Sequence, residues 1–437
     1  MLVELRFKNF LSFKDEQVLS LVAGADKAML DTNTIQPGQL GKRRLVRSAV
    51  VYGANASGKT NLMRVFRFVE KFVAGSATRE PGQQIPVTPF KLDQASAKAP
   101  SEFELTFIHQ SVRYQYGFAV DRTRIHQEWL LAYPKGSPQR WFERDWNEDT
   151  GEYDWYFGSY LKGEKAKLTD MTRGNTPFLS IGAQFNHEQL TPVYEWFSRY
   201  LHSIGEGREN LTIVTARKAN ADETLKQGIV RLLRSSDTGI EDLSIKESVL
   251  KDFDPDVLPD SFPRGLLHLI GVGEGKLHFL DINVFHRAAD DASRRVSFSL
   301  DEESSGTQRL FAFGGPWFET LDRGYVLAMD ELDSSLHPLL VRRLVKLFHN
   351  SESNRMDAQL VFNTHDTTLL DLDLFRRDQI WFVEKDNDGA SHLYPLLDFS
   401  PRKTEALEKG YLMGRYGAIP VMSELHLPEE ESCYVQD

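Results

Sequence analysis

The sequence predicts an α/β fold: a mostly parallel sheet covered by helices, with an antiparallel sheet appended to its first half. Three observations carry this. An apolar strand at 46–52, "VRSAVVY", runs into the loop "GANASGKT" at 53–60, and "KTNLMRVFRFVEKFVA" at 59–74 then spaces its apolar residues as a helix. Strands and helices alternate after residue 300. Between 101 and 160, segments such as "EFELTFI", "VRYQYGFAV" and "EYDWYFG" alternate apolar and polar residues, the pattern of half-buried antiparallel strands.

Taken in order, residues 2–8 read as a strand, followed by the strand, loop and helix just described. The stretch 165–250 reads as helical, with "EQLTPVYEWFSRYLHSI" and "ADETLKQGIVRLLRSS" as its clearest segments, and strand-like pieces return at 265–300. Then come a helix (305–322), strand (324–329), helix (335–349), strand (357–364), helix (366–375) and the strand-turn-strand "DQIWFVEK", "DNDG", "SHLYPLL". This divides the chain into 1–160, the first half of a core with its antiparallel sheet, and 161–299, a mainly helical insertion lobe. The second half of the core follows at 300–400, and a tail at 401–437. No sustained heptad run joins the halves, and the Gly, Pro and aromatic residues of 61–299 argue against a long coiled-coil arm.

The 437 residues are 41% hydrophobic, enough for a large core in two or three lobes. A net charge of −11 argues against a surface-wide nucleic-acid clamp, and the clusters "GKRRLVR" (41–47) and "SRR" (293–295) read as solvated charge. The single cysteine, Cys433, excludes an intrachain disulfide framework and a multi-cysteine metal site. It suits a reducing cytosol. No apolar run approaches the roughly 20 residues that span a bilayer, and the opening "MLVELRFKNF" reads as a strand, not a signal peptide. A cytoplasmic protein without a membrane segment is expected.

Residues 53–60 match G-x-x-x-x-G-K-[ST]. Gly53 and Gly58 let the backbone turn, so that the loop through Ala54, Asn55, Ala56 and Ser57 points N–H groups at phosphate oxygens. Lys59 supplies a cation to the β- and γ-phosphates, Thr60 a hydroxyl to Mg²⁺, and Asn61 follows in the helix whose positive end faces the same phosphates. ATP and Mg²⁺ are the expected cofactors, since no guanine-reading Asn/Thr-Lys-x-Asp motif accompanies the loop.

The other half of such a site is "YVLAMDELDSSLHP" at 325–338. Asp330 ends an apolar strand where it can hold Mg²⁺, and Glu331 follows where it can orient or deprotonate the attacking water. "AQLVFNTHD" at 358–366 is another buried strand, ending near His365, which can touch a γ-phosphate. In "ESSGTQRL" (303–310), a Ser-Gly turn opens a helix: Ser305 offers a hydroxyl and Gly306 a close backbone approach. The chain already has one phosphate loop. A second phosphate-binding turn therefore points to the nucleotide of another copy.

This order of motifs resembles the ABC-type ATPase heads of transporters, SMC and Rad-type repair proteins, and the OLD-like ATPases. "FKNFLSF" at 7–13 is similar to the first strand of SMC-like and RecF-like heads, and "ESSGTQRL" stands at their Leu-Ser-Gly-Gly-Gln signature, departing at Thr307. "SSLH" (334–337) lies at the dimer-contacting loop position and His365 at the switch histidine. "DELDSSLHP", "RRDQIWFVEK" and "EKGYLMGRYGAIP" (408–420) are closer still to stand-alone bacterial AAA15-type ATPases of the RloA/AbiLi kind, with PARIS-type defence ATPases as near relatives.

The resemblance implies a P-loop NTPase with an ABC/SMC-like head, an antiparallel β subdomain and a helical insertion lobe. It implies a head-to-tail homodimer, or a larger oligomer, sandwiching two ATPs. Glu331, His365 and Lys59 would be catalytic, and Ser305 and Gly306 would act on the other copy's nucleotide. It further implies a sensor or regulator in phage defence or restriction, working with a separately encoded, often nuclease-like, effector. The alternatives are a RecF-like DNA-repair ATPase and a self-contained nuclease, the latter opposed by the short stretch after His365. Gln84 and Gln94 are equal candidates for the Mg²⁺-sensing glutamine.

Overall fold

The structure, a computed structural model, describes residues 1–205, 211–250, 271–273, 276–291, 293–402 and 404–420. Cys433 and the end of the expected tail lie outside the described residues. The first half of the chain supplies β1 (Leu2–Lys8), β2 (Gln17–Ser20), β3 (Ser48–Tyr52), α1 (Lys59–Gly75), β4 (Ser101–His109), β5 (Val112–Val120), β6 (Ile125–Tyr133), β7 (Gln139–Asn147) and β8 (Glu152–Phe157). The middle supplies β9 (Leu201–Ile204), α2 (Leu211–Ala221), α3 (Glu223–Arg234), β10 (Ile240–Leu250), β11 (Lys276–Arg287) and β12 (Arg295–Ser299). Then come α4 (Ser305–Arg323), β13 (Val326–Met329), α5 (Pro338–His349), β14 (Gln359–Asn363), β15 (Ile380–Lys385), β16 (Ser391–Pro395) and α6 (Leu407–Leu412).

Two large sheets organise these elements. One is antiparallel, in the order β8-β7-β6-β5-β4-β1-β2, so β1 carries the sheet expected at 101–160. The other runs β9-β13-β14-β3-β15-β16, parallel except for the β15–β16 pair. Its central strands are apolar on both faces because both are covered. Ala49 and Val51 of β3 pack with α1 and the antiparallel sheet, while Val50 and Tyr52 face the core formed with α2 to α5. The helix α1 lies between the two sheets, with Leu62, Phe66, Val69 and Val73 buried.

On the other face α4 packs tightly against α2 and α3. A Cβ on Gly315 would stand 2.3 Å from Thr215 Oγ1, and one on Gly314 2.9 Å from Ile229 Cγ1, so glycines set the helix spacing. On the antiparallel side, fully buried Glu128 and Arg144 pair at 2.9 Å. Glu128 also accepts the N–H groups of Phe178 (2.8 Å) and Leu179 (3.1 Å), fixing the first turn of the Phe178–Gln184 helix to the sheet.

Three expectations need correction. The stretch 165–250 is not helical to its end: β10 occupies its last part and pairs with β11, which pairs with β12, in an antiparallel sheet. Its Ile240, Leu243 and Ile245 are buried against the helices. The run "EQLTPVYEWFSRYLHSI" holds a helix (Leu190–Glu195) and a π-helical turn (Trp196–Tyr200), but its end is β9, which joins the parallel sheet beside β13. Finally, 366–375 is no helix. It forms one 3₁₀ turn, Thr367–Leu369, because Asp366 accepts the Thr368 N–H (3.0 Å) and Asp371 that of Asp373 (2.8 Å), closing local turns instead.

The segment "EKGYLMGRYGAIP" closes the sheet. Tyr411 and Tyr416 stack on Phe382 of β15, and Tyr411 also meets Tyr52 at the end of β3.

Candidate functional site

The sheet order places β14 between β3 and β13. The phosphate loop, the His365 segment and the Asp-Glu turn therefore leave three neighbouring parallel strands at the same edge.

Buried β3 delivers the chain into Gly53, where a Cβ would lie 2.3 Å from the Val383 carbonyl oxygen. Gly58 has φ +119°, and a Cβ there would meet Ser391 Oγ at 2.5 Å. Only glycine fits such a position. Ser391 opens β16 and supports the loop from below: its Oγ donates to the Ser57 carbonyl (2.5 Å) and accepts from Ser12 Oγ (2.7 Å). The "FLSF" turn and the last hairpin thus buttress the phosphate loop.

Lys59 begins α1 and folds back over the loop, its Nζ donating to the carbonyls of Gly53 (2.7 Å) and Ala54 (2.9 Å). Burial lowers its pKa to about 8, against the pull of Asp330, Glu331 and Asp333. A partly desolvated ammonium resting on two carbonyls fits a polyphosphate, whose negative charge would favour its protonated form. Thr60 Oγ1 lies 3.2 Å from Asp330 Oδ1. Hydroxyl and carboxylate together are hard oxygen donors of the kind Mg²⁺ takes. Ala54 is half-buried, Asn55 and Ala56 are exposed, Ser57 is buried, and Asn61 donates from Nδ2 to Ser12 Oγ (2.8 Å).

Glu331 has φ +49°, a left-handed conformation uncommon for a glutamate. Its N–H donates to Asn363 Oδ1, and its carbonyl accepts from Arg309 Nη2 (2.9 Å) on α4. Asn363 Nδ2 donates in turn to Asp330 Oδ1 (2.6 Å). His365 is exposed beyond β14, its N–H donating to Asp333 Oδ2 (3.2 Å). Burial of the ring, and then Lys59, lower its pKa.

Ser305 is the first residue of α4 and is exposed. The helix cap is Ser304, whose Oγ accepts the Thr307 N–H (3.2 Å) and lies 2.9 Å from Thr307 Oγ1. Thr307 is therefore buried as the partner of the cap. Gly306 packs on the Asp-Glu turn's continuation: a Cβ there would be 2.8 Å from the Ser335 carbonyl oxygen. Among the described residues Ser305 makes no hydrogen bond to the loop 53–60 of its own chain. His337 caps α5, its Nδ1 accepting the Leu339 N–H (3.2 Å). Gln84 and Gln94 are both exposed, and Gln84 accepts from Arg122 (2.8 Å).

Sequence reasoning passed over Asn363, Arg309, Asp333 and Ser391. Only Asn363 carried a signal: an amide inside an otherwise apolar buried strand must find partners.

With this geometry the chain can be set beside known proteins. The AAA_21 family model, "AAA domain, putative AbiEii toxin, Type IV TA system", matches residues 48–371. The chain belongs to this family. The P-loop head and its α/β sheet accord with an AAA domain, the ATPase class that the resemblance implied. The matched segment runs from β3 through the Asp-Glu turn to beyond His365, so the family spans the whole composite of motifs.

Among solved structures, the SMC head bound to the C-terminal winged-helix domain of ScpA has a TM-score of 0.39 and 14% identity, covering 90% of this chain and 96% of that one. The Pyrococcus furiosus SMC head with an extended coiled coil, bound to the C-terminal domain of ScpA, gives 0.37 and 12%, with 95% and 98% coverage. The recombination mediator RecF with ATP gives 0.36 and 14%, covering 90% and 97%. These likenesses are faint. No curated protein matches the chain. No helix among the described residues is long and apolar enough to cross a membrane.

Proposed function

We propose that the chain binds ATP in the loop 53–60 and hydrolyses it between two copies, as a cytoplasmic sensor or regulator. The observation that supports this best is the hydrogen bond from Thr60 to Asp330 across neighbouring strand ends, beside a partly desolvated Lys59. Loop and Asp-Glu turn are already assembled in one chain, whereas Ser305 is exposed and makes no hydrogen bond to the loop among the described residues.

In this reading the backbone of 53–60 cradles the phosphates, and Lys59 leaves its carbonyl partners for their oxygens. Thr60 and Asp330 would hold Mg²⁺, which when bound neutralises phosphate charge. Glu331 orients the attacking water and takes its proton, while His365 reaches the terminal phosphate. Ser305 and Gly306 of a second copy, with the positive end of its α4, complete the charge stabilisation. Closure of two copies on ATP and reopening on hydrolysis would be the signal. The segment 161–299 would pass it on. The family description names a type IV TA system, which fits a defence or restriction-linked role with a separately encoded effector, nuclease-like in chemistry.

The test is Glu331→Gln with ATP and Mg²⁺. A dimeric mass by light scattering, with unhydrolysed ATP retained, supports the proposal. A monomer, or hydrolysis at the wild-type rate, contradicts it.

A further inference from the structure

Asn363 ends β14, the strand between the phosphate-loop strand and the Asp-Glu strand, and its side chain is fully buried. The preceding residues Leu360, Val361 and Phe362 are apolar and buried, as a covered parallel strand requires. An amide in that row costs desolvation unless both its ends are bonded. Both are, and both partners belong to the nucleotide machinery.

The direction of these bonds is forced. A backbone N–H can only donate, so the Glu331 N–H must meet the amide oxygen. The amide nitrogen then faces Asp330 Oδ1, at 2.6 Å. The same Asp330 oxygen takes the Thr60 hydroxyl at 3.2 Å. Asn363 thereby fixes the rotation of the Asp330 carboxylate towards Thr60. It also grips the peptide that enters Glu331, whose φ of +49° is costly for a side-chain-bearing residue and needs an external hold. Neither bond is needed by the sheet, because the Asn363 backbone pairs independently, its carbonyl accepting the Leu332 N–H (3.3 Å).

We infer that Asn363 is a positioning residue for the ATP site, setting the Asp330 carboxylate for the metal and the Glu331 backbone for the water. The inference rests on the ATP-site reading above. Partners of this kind behind a metal ligand typically contribute 10–100-fold in metal affinity.

Two variants separate its two bonds. Asn363→Asp keeps the shape and the acceptor for Glu331 but replaces the neutral amide donor with a second carboxyl group that competes with the metal for a proton-free Asp330. Asn363→Ala loses both bonds. The measurement is the affinity of each protein for a fluorescent ATP analogue, first with EDTA and then across a Mg²⁺ titration, with thermal melting as the check on folding. Expected are EDTA affinities within about 2-fold of wild type and a Mg²⁺ midpoint raised about 10–100-fold in both variants. The turnover of Asn363→Ala should fall below that of Asn363→Asp, since only the alanine releases the Glu331 N–H. If the alanine variant does not fold, Asn363→Ser takes its place. Wild-type Mg²⁺ midpoints in folded variants that bind the analogue overturn the inference and leave the ATP site standing. A wild-type protein that does not bind the analogue overturns the ATP-site reading, and this inference with it.

Discussion

Replacing Ser305 with arginine should leave one chain nearly intact and stop its chemistry. Ser305 is exposed, and the cap of α4 belongs to Ser304 through Thr307, so the substitution breaks no hydrogen bond among the described residues. A cation in the first turn of a helix opposes the dipole by about 0.3–1 kcal/mol, so the melting temperature should drop by no more than about 3 °C. Nucleotide affinity should stay within about 2-fold, because Lys59, Thr60 and Asp330 are untouched. In the proposed closed pair the same residue would face the other copy's terminal phosphate. Losing one donor to developing charge typically costs about 10²–10³-fold in rate. Phosphate release should therefore fall at least about 10²-fold, read by a coupled phosphate assay beside a melting curve and an ATP titration. Hydrolysis within about 3-fold of wild type, where the argument requires the 10²-fold loss, would refute the reasoning. So would loss of ATP binding by the single chain.

Other outcomes follow from the same geometry. His349 is fully buried and bonded at Nε2 to Ser48 Oγ (2.8 Å), and burial lowers its pKa to about 3. Below pH 6.5 the unfolded chain takes up a proton that the folded one refuses, so stability falls with pH, by about 2 kcal/mol at pH 5. Urea midpoints at pH 7 and 5 should converge in His349→Gln. Gly315→Ala would press a methyl to 2.3 Å from Thr215 Oγ1. It should cost about 1–3 kcal/mol, seen as a lower urea midpoint and partly recovered by adding Thr215→Ala. Arg309→Ala should lower turnover by up to about 10²-fold, the order expected when a lost orienting contact lets a catalytic group shift by about 1 Å. It should leave ATP affinity unchanged, because its bond goes to the Glu331 carbonyl and not to the phosphate loop.

What was legible in the sequence is what local pattern specifies. The loop 53–60 sits between an apolar strand and an amphipathic helix, and β13 is an apolar run ending in Asp-Glu; neither needs tertiary information. The strand β9 was not legible. It is four residues long, follows an aromatic helical run, and exists because it pairs in parallel with a strand more than a hundred residues away. Likewise "IEDLSIKESVL" has the alternation of a strand, but its neighbours' helical periodicity masked it until β11 supplied a partner. Thr307 looked like a defect in the Ser-Gly turn and is the residue that secures the cap. Asn363 could be quoted but not understood, because its role depends on which strands lie on either side of β14.

The central claim is that each ATP site is built from two copies, and mixing two inactive variants tests it most directly. Lys59→Ala lacks the phosphate cation and Ser305→Arg lacks the serine of the Ser-Gly turn. In a mixed dimer one site draws Lys59 from the second variant and Ser305 from the first, so it is whole. Random pairing of equal amounts makes half of the dimers mixed, each with one working site of two. The account predicts about one quarter of wild-type hydrolysis on mixing, from two proteins each reduced at least about 10²-fold alone. A mixture no more active than its components would contradict it.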